Sequence, residues 1–211
     1  MLAFACVTLT WVAVMGLLAA EYAGSRTGVW IAKPLAASGF VATALVSGAS
    51  ATAYGAWILI GLALSFLGDL LLIPRGAKVA FAAGLASFLL AHMAYGVAFV
   101  RRGVEPWSLA IAAAVLIVPA IAVLRWLGPN LRKLRVPVYA YVTVISAMVA
   151  LAVATVAARG APSILVGALM FYCSDLAVAR ERFVAHGFVN KAWGLPLYFG
   201  GQIVLALSVN R

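Results

Sequence analysis

Apolar residues run along this chain in long stretches, interrupted only by short clusters rich in glycine, proline and basic residues. That pattern constrains the fold more than any single motif. Hydrophobic residues make up 66% of the 211 positions and charged residues 9%, with a mean hydropathy of +1.13. A soluble domain is roughly 45–50% apolar and about 25% charged. So much apolar surface cannot be hidden from water, so the chain reads as an integral membrane protein. A helix crosses the bilayer core in about 20 residues. The expectation is therefore an all-α polytopic protein of about eight transmembrane helices, with no soluble domain. The spans are expected at roughly 2–20, 30–47, 54–73, 79–99, 107–127, 136–158, 163–180 and 192–209. The first lacks a basic segment ahead of it and is long enough to span, so it reads as a helix rather than a secretory signal.

The breaks carry turn residues: Gly24-Ser25, Gly48, Pro74-Arg75-Gly76, Arg101-Arg102-Gly103, Gly128-Pro129-Asn130 and Arg159-Gly160-Ala161-Pro162. Most are short, so consecutive helices should be antiparallel neighbours. Gly, Ala and Ser inside the spans suit close helix packing in lipid. The net charge of +10 comes from 15 Lys+Arg against 5 Asp+Glu. Because the basic residues lie mostly between apolar runs, topology and anionic lipid account for them better than nucleic acid does. Eleven flank the first, third, fifth and seventh connections: Arg26, Lys33, Arg75, Lys78, Arg125, Arg132, Lys133, Arg135, Arg180, Arg182 and Lys191. Four lie on the side of the termini: Arg101, Arg102, Arg159 and Arg211. The positive-inside rule then makes the first set cytoplasmic and puts both termini outside. Cys6 and Cys173 fall within apolar spans without metal-ligand or CxxC spacing, so they read as packed core residues, and no metal is expected.

Only two aspartates occur, Asp69 and Asp175, and each lies inside an apolar span. A carboxylate at membrane depth is costly and marks a functional-site candidate. Asp69 stands five residues before Pro74 and Asp175 five before Arg180, which predicts equal depth near the basic side. Each follows a glycine by eight residues (Gly61, Gly167) and precedes a leucine, which raises a four-plus-four repeat as an alternative to chance. Lys33 is expected to open the second helix beside Pro34, and Asn190 and Lys191 the eighth. Tyr198 and Gln202 follow one turn apart. Ser65 shares a helix face with Asp69, and Tyr172 with Asp175. These residues suggest a polar pocket open to the basic side. One carboxylate would stay protonated and the other would serve as base, while Lys33 or Lys191 would meet a phosphate. His92, with Tyr95 on its face, falls about 20 Å along the fourth helix and is expected to lie off the level of the aspartates. No serine-nucleophile, zinc-protease or Walker sequence occurs, so the carboxylates are the strongest chemical candidates.

Several of these segments stand in an order that resembles the YhhN family of membrane lysoplasmalogenases. They are Lys33-Pro34-Leu35, the run from Gly61 through Gly68-Asp69 to Pro74-Arg75, and Gly84-Leu85-x-Ser87-Phe88-x-x-x-His92-x-x-Tyr95. Gly167-Ala168-x-x-Phe171-x-x-Ser174-Asp175 and Tyr198-Phe199-Gly200-Gly201-Gln202 complete the set. The resemblance implies an eight-helix hydrolase that cleaves the vinyl-ether bond of a lysoplasmalogen to a fatty aldehyde and a glycerophospho-base. On that basis Asp69 and Asp175 would be the acid–base pair. Lys33, Asn190 and Lys191 would position the headgroup, and Tyr198 and Gln202 would orient water or the glycerol hydroxyl. Ser65, His92, Tyr95, Tyr172 and Ser174 would support them. No cofactor is implied, the partners are a lysophospholipid and membrane lipid, and the location is a bacterial inner membrane. A small proton-coupled transporter is the rival reading of intramembrane aspartates and repeats, but it calls for polar residues at the midplane and in both halves of the membrane.

Overall fold

A computed structural model describes residues 1–74 and 76–210; Arg75 and Arg211, both counted above, lie outside the described residues. Among the described residues, eight α-helices are long and apolar enough to cross a membrane. They are α1 (Leu2–Tyr22), α2 (Arg26–Val46), α3 (Ala53–Leu71), α4 (Lys78–Arg102), α5 (Pro106–Leu127), α6 (Arg135–Arg159), α7 (Pro162–Ala179) and α8 (Phe188–Leu207). The chain is an all-α integral membrane protein, as its composition demands: in lipid, a helix satisfies its own backbone groups.

Local chemistry sets the helix starts. The Ser25 hydroxyl accepts the Gly28 N–H at 3.2 Å to cap α2, and Thr52 accepts the Gly55 N–H at 3.0 Å to cap α3. Glu105 caps α5, taking the N–H groups of Trp107 and Ser108. Gly160 ends α6 at φ +66°, a left-handed conformation that glycine adopts without a Cβ penalty.

Successive helices pair as hairpins, α1 with α2, α3 with α4, α5 with α6 and α7 with α8. α8 is the axis of the bundle, touching α1, α2, α3 and α7, whereas α5 packs on α6 at the periphery. The α7–α8 contact depends on small residues. Gly167 and Gly201 face each other so closely that a Cβ on Gly201 would stand 3.0 Å from the Gly167 carbonyl oxygen. Such approach is what drives helix association where lipid removes the hydrophobic gain. An aromatic layer of Phe40, Phe88, Phe171, Tyr198 and Phe199 fills the centre.

Two expectations change. Ser25 starts α2 at Arg26, four residues earlier than expected, so Lys33 lies about 10 Å into the helix and Pro34 is inside it. α7 does not stop at Arg180: it continues through a π-helical turn, Arg180–Val184. Asp175 is thus about 13 Å from the true end of its helix, whereas Asp69 is two residues from the last residue of α3. The two are not equivalent in depth along their helices. α3 packs mainly on α4 and α2, and α7 on α8 and α6, so α8 bridges the two aspartate-bearing helices.

Candidate functional site

Asp69 and Asp175 both line one cavity of about 450 Å³, mostly apolar, reached from the end of the bundle that holds the α3–α4 and α7–α8 connections. Their surroundings differ. Asp69 is 2% exposed. The Lys33 ammonium lies 3.1 Å from its Oδ1, and the Tyr198 hydroxyl donates to its Oδ2 at 2.6 Å. The late position of Lys33 in α2 brings it level with the end of α3, and α8 supplies Tyr198. Asp69 therefore has a full cationic partner and a hydrogen-bond donor, both of which favour its charged form against the cost of burial.

Among the described residues, Asp175 has no such partner. The Tyr141 hydroxyl donates to its Oδ2 at 2.7 Å, and His92 Nε2 stands 3.7 Å from the same oxygen. The other ring nitrogen of His92, Nδ1, is 2.6 Å from the Phe88 carbonyl oxygen and so carries the hydrogen. Nε2 has no hydrogen-bond partner. Nε2 thus faces the Asp175 carboxyl across 3.7 Å. The ring is fixed by Phe171 (centroids 4.4 Å apart) and Tyr141 (5.2 Å). The expectation that His92 lies off the aspartate level is corrected: the π-helical turn extends α7, so Asp175 stands deep enough to meet it.

The remaining candidates divide. Tyr198 reaches Asp69 directly. Gln202, one turn on, accepts the Tyr95 hydroxyl at 2.6 Å, leaving its Nε2 without a hydrogen-bond partner. Lys191 contacts Glu21 at 2.6 Å, and Lys33 is engaged by Asp69. Asn190 lies in the cavity wall, but its amide is committed. It donates to Glu181 at 2.6 Å and to the Ala185 carbonyl at 2.7 Å, and it accepts from Arg180, so it holds the π-helical turn in place. Ser174 donates to the Phe171 carbonyl of its own helix. Ser65 and Tyr172 are on the predicted faces, but their hydroxyls form no hydrogen bond to an aspartate. Sequence reasoning did not single out Tyr141, whose setting in α6 resembles that of any interfacial tyrosine, or the π-helical turn with Glu181 and Arg182.

Fold and site together define an integral membrane protein with eight spanning helices among the described residues, a largely apolar cavity and two carboxylates in unlike settings. The chain belongs to the YhhN family, whose model matches residues 28–209. A lysoplasmalogenase of Mycobacterium bovis is 34% identical over 150 residues, 68% of this chain and 55% of that protein, and one of Mycobacterium tuberculosis matches equally. The bovine (Bos taurus) lysoplasmalogenase TMEM86A is 30% identical over 158 residues, 72% of this chain and 64% of its own. The chain thus spans between half and two thirds of the length of these relatives. No solved structure matches it.

Proposed function

We propose that this protein hydrolyses the vinyl-ether bond of lysoplasmalogen-type lysophospholipids, with Asp175 as general acid and Asp69 as general base. The observation that carries the reading is the pair of carboxylates opening into one largely apolar cavity, one neutralised by a lysine and the other by no cation. The names of the mycobacterial and bovine relatives support the substrate class.

The chemistry follows from the settings. A vinyl ether R–CH=CH–O–R′ is cleaved by adding a proton to the carbon distant from oxygen, which leaves an oxocarbenium ion. Asp175 donates that proton. His92 Nε2 stands 3.7 Å from the same carboxyl oxygen, beyond direct hydrogen-bond distance, so it does not tie up the proton that Asp175 donates. The Asp69 carboxylate stabilises the cation electrostatically and takes a proton from the water that attacks it. The resulting hemiacetal breaks its C–O bond to the glycerol, whose oxygen takes the proton held by Asp69, while the hemiacetal hydroxyl gives up its own proton and Asp175 is reprotonated, so that both carboxyl groups return to their starting states. The net change is one water consumed, with one fatty aldehyde and one glycerophospho-base released. Tyr198 fixes Asp69 and Tyr141 fixes Asp175. The alkenyl chain lies along the apolar wall formed by Leu85, Phe88, Val142 and Ile145. The basic end faces the cytoplasm of a bacterial inner membrane, so substrate enters from that leaflet.

Aldehyde release from a lysoplasmalogen by purified protein in detergent tests this reading. Loss of either acid or base is expected to lower kcat by about 10²–10⁴-fold in Asp175→Asn and Asp69→Asn. Full activity in both variants would sink the acid–base assignment. Solute uptake into proteoliposomes without aldehyde release would favour a carrier instead.

A further inference from the structure

The substrate proposed above carries a phosphodiester, and the cations first expected to meet it are already engaged. Lys33 is held by Asp69 and Lys191 by Glu21, while both polar ends of the Asn190 amide are committed to the π-helical turn. Arg182 is different. It lines the cavity at its exposed mouth, and its guanidinium lies over the Phe81 ring, 4.1 Å from the centroid. Among the described residues it has no carboxylate or carbonyl partner. Phe81 itself packs edge-on against Phe183, 6.3 Å between centroids, so the stack ties the π-helical turn to the first turn of α4.

A guanidinium stacked by its face keeps its in-plane N–H groups available, and that planar fork matches two phosphate oxygens. Its neighbour Glu181 does not compete, because its carboxylate receives the Gly187 N–H at 2.8 Å and the Asn190 amide. π-Bulges within helices often occur at functional sites, and this one presents a single uncommitted cation beside the cavity.

We propose that Arg182, braced by Phe81, binds the phosphodiester of the lysophospholipid headgroup and so selects phosphorylated substrates over neutral alkenylglycerols. The inference rests on the lysophospholipid reading but not on the cleavage step, so binding tests it independently. The probes are a 1-O-alkyl lysophosphatidylethanolamine, whose saturated ether resists cleavage, and the 1-O-alkylglycerol of equal chain length. In Arg182→Gln, the lysophospholipid is expected to bind about 10- to 100-fold more weakly, the range for a lost charge-assisted hydrogen-bonding partner. Binding of the alkylglycerol is expected to be unchanged. Arg182→Lys recovers part of the affinity, because it keeps the charge without the fork, and Phe81→Leu loses a few-fold for the lysophospholipid alone. Equal lysophospholipid binding by wild type and Arg182→Gln would overturn the proposal. So would equal weakening of both ligands, which marks a collapsed cavity. Failure of the wild type to release aldehyde, with these binding differences intact, would remove the hydrolase reading and leave the headgroup site standing.

Discussion

Replacing Lys33 with methionine keeps the length of the side chain and removes the charge that faces Asp69. At 3.1 Å the two unit charges attract by about 5 kcal/mol at an effective dielectric of 20. Desolvation of both groups offsets part of that. The Asp69 side chain is 3% exposed and that of Lys33 13%, so an unpaired carboxylate has less access to water through the cavity than an unpaired ammonium does. Breaking a buried pair from one side costs about 3–5 kcal/mol. Because the cavity offers water some entry, the lower end applies, about 3 kcal/mol for Lys33→Met. Asp69→Asn leaves a partly solvated lysine and should cost about 1.5 kcal/mol, within the range for an unsatisfied polar group. Replacing both removes the charges together, and the asparagine oxygen still accepts from Tyr198. The double variant should therefore cost about as much as Asp69→Asn alone, a coupling of about 3 kcal/mol. Reversible unfolding in mixed micelles, followed by helical circular dichroism, measures the four corners of this cycle. Additive losses, or a Lys33→Met cost below about 1 kcal/mol, would refute the claim that Lys33 keeps Asp69 charged.

Three other outcomes follow from the packing. Gly201→Ala places a methyl against the Gly167 carbonyl oxygen, the Met170 Cβ and the Phe171 N, at 3.0, 3.1 and 3.2 Å, with no flexible side-chain end to give way. It should lower stability by about 1–3 kcal/mol, read as a fall in Tm in detergent, and an unchanged Tm would contradict the described α7–α8 contact. Asn190→Ala releases the π-helical turn, so amide exchange at residues 180–187 should accelerate while the centre of α8 stays protected. Glu105 precedes α5, and the Ser108 hydroxyl with the Ser108 and Trp107 N–H groups holds its carboxyl below the usual value of 4.5. A depressed folded-state pKa gives stabilisation that is present above the unfolded value and lost as pH falls through the folded one. Amide protection factors in the first turn of α5, taken relative to the intrinsic exchange rate at each pH, should therefore fall selectively on acidification, and Glu105→Gln should abolish that pH dependence.

Helix number and the identity of the buried carboxylates were legible because both follow from composition. An apolar run of about 20 residues has few alternatives to a spanning helix, and an aspartate within one stands out against leucine and alanine. The family was legible as well, since the short segments around Lys33, Asp69, His92, Asp175 and Tyr198 together resemble its motifs in order, and the family model matches residues 28–209. Partner identity was less accessible. Tyr141 meets Asp175 because α6 packs on α7, and one tyrosine among the aromatic residues of an apolar helix does not reveal that. The Arg180 end point was misplaced because a basic residue after an apolar run normally marks a membrane boundary. Here the chain adds a π-helical turn stabilised by Asn190 from the next helix, a contact that depends on tertiary structure. That extra turn also explains why His92 reaches Asp175 and why Arg182 stands at the cavity mouth.

Isotope placement during turnover tests the central claim most directly. Purified protein is incubated with lysoplasmenylethanolamine in deuterated, 18O-enriched water, and the products are analysed by mass spectrometry. Protonation at carbon followed by water capture predicts one deuterium on the carbon next to the aldehyde, no 18O in the glycerophosphoethanolamine, and loss of turnover in Asp175→Asn. An aldehyde without deuterium at that carbon, 18O in the glycerol product, or undiminished turnover by Asp175→Asn would contradict it.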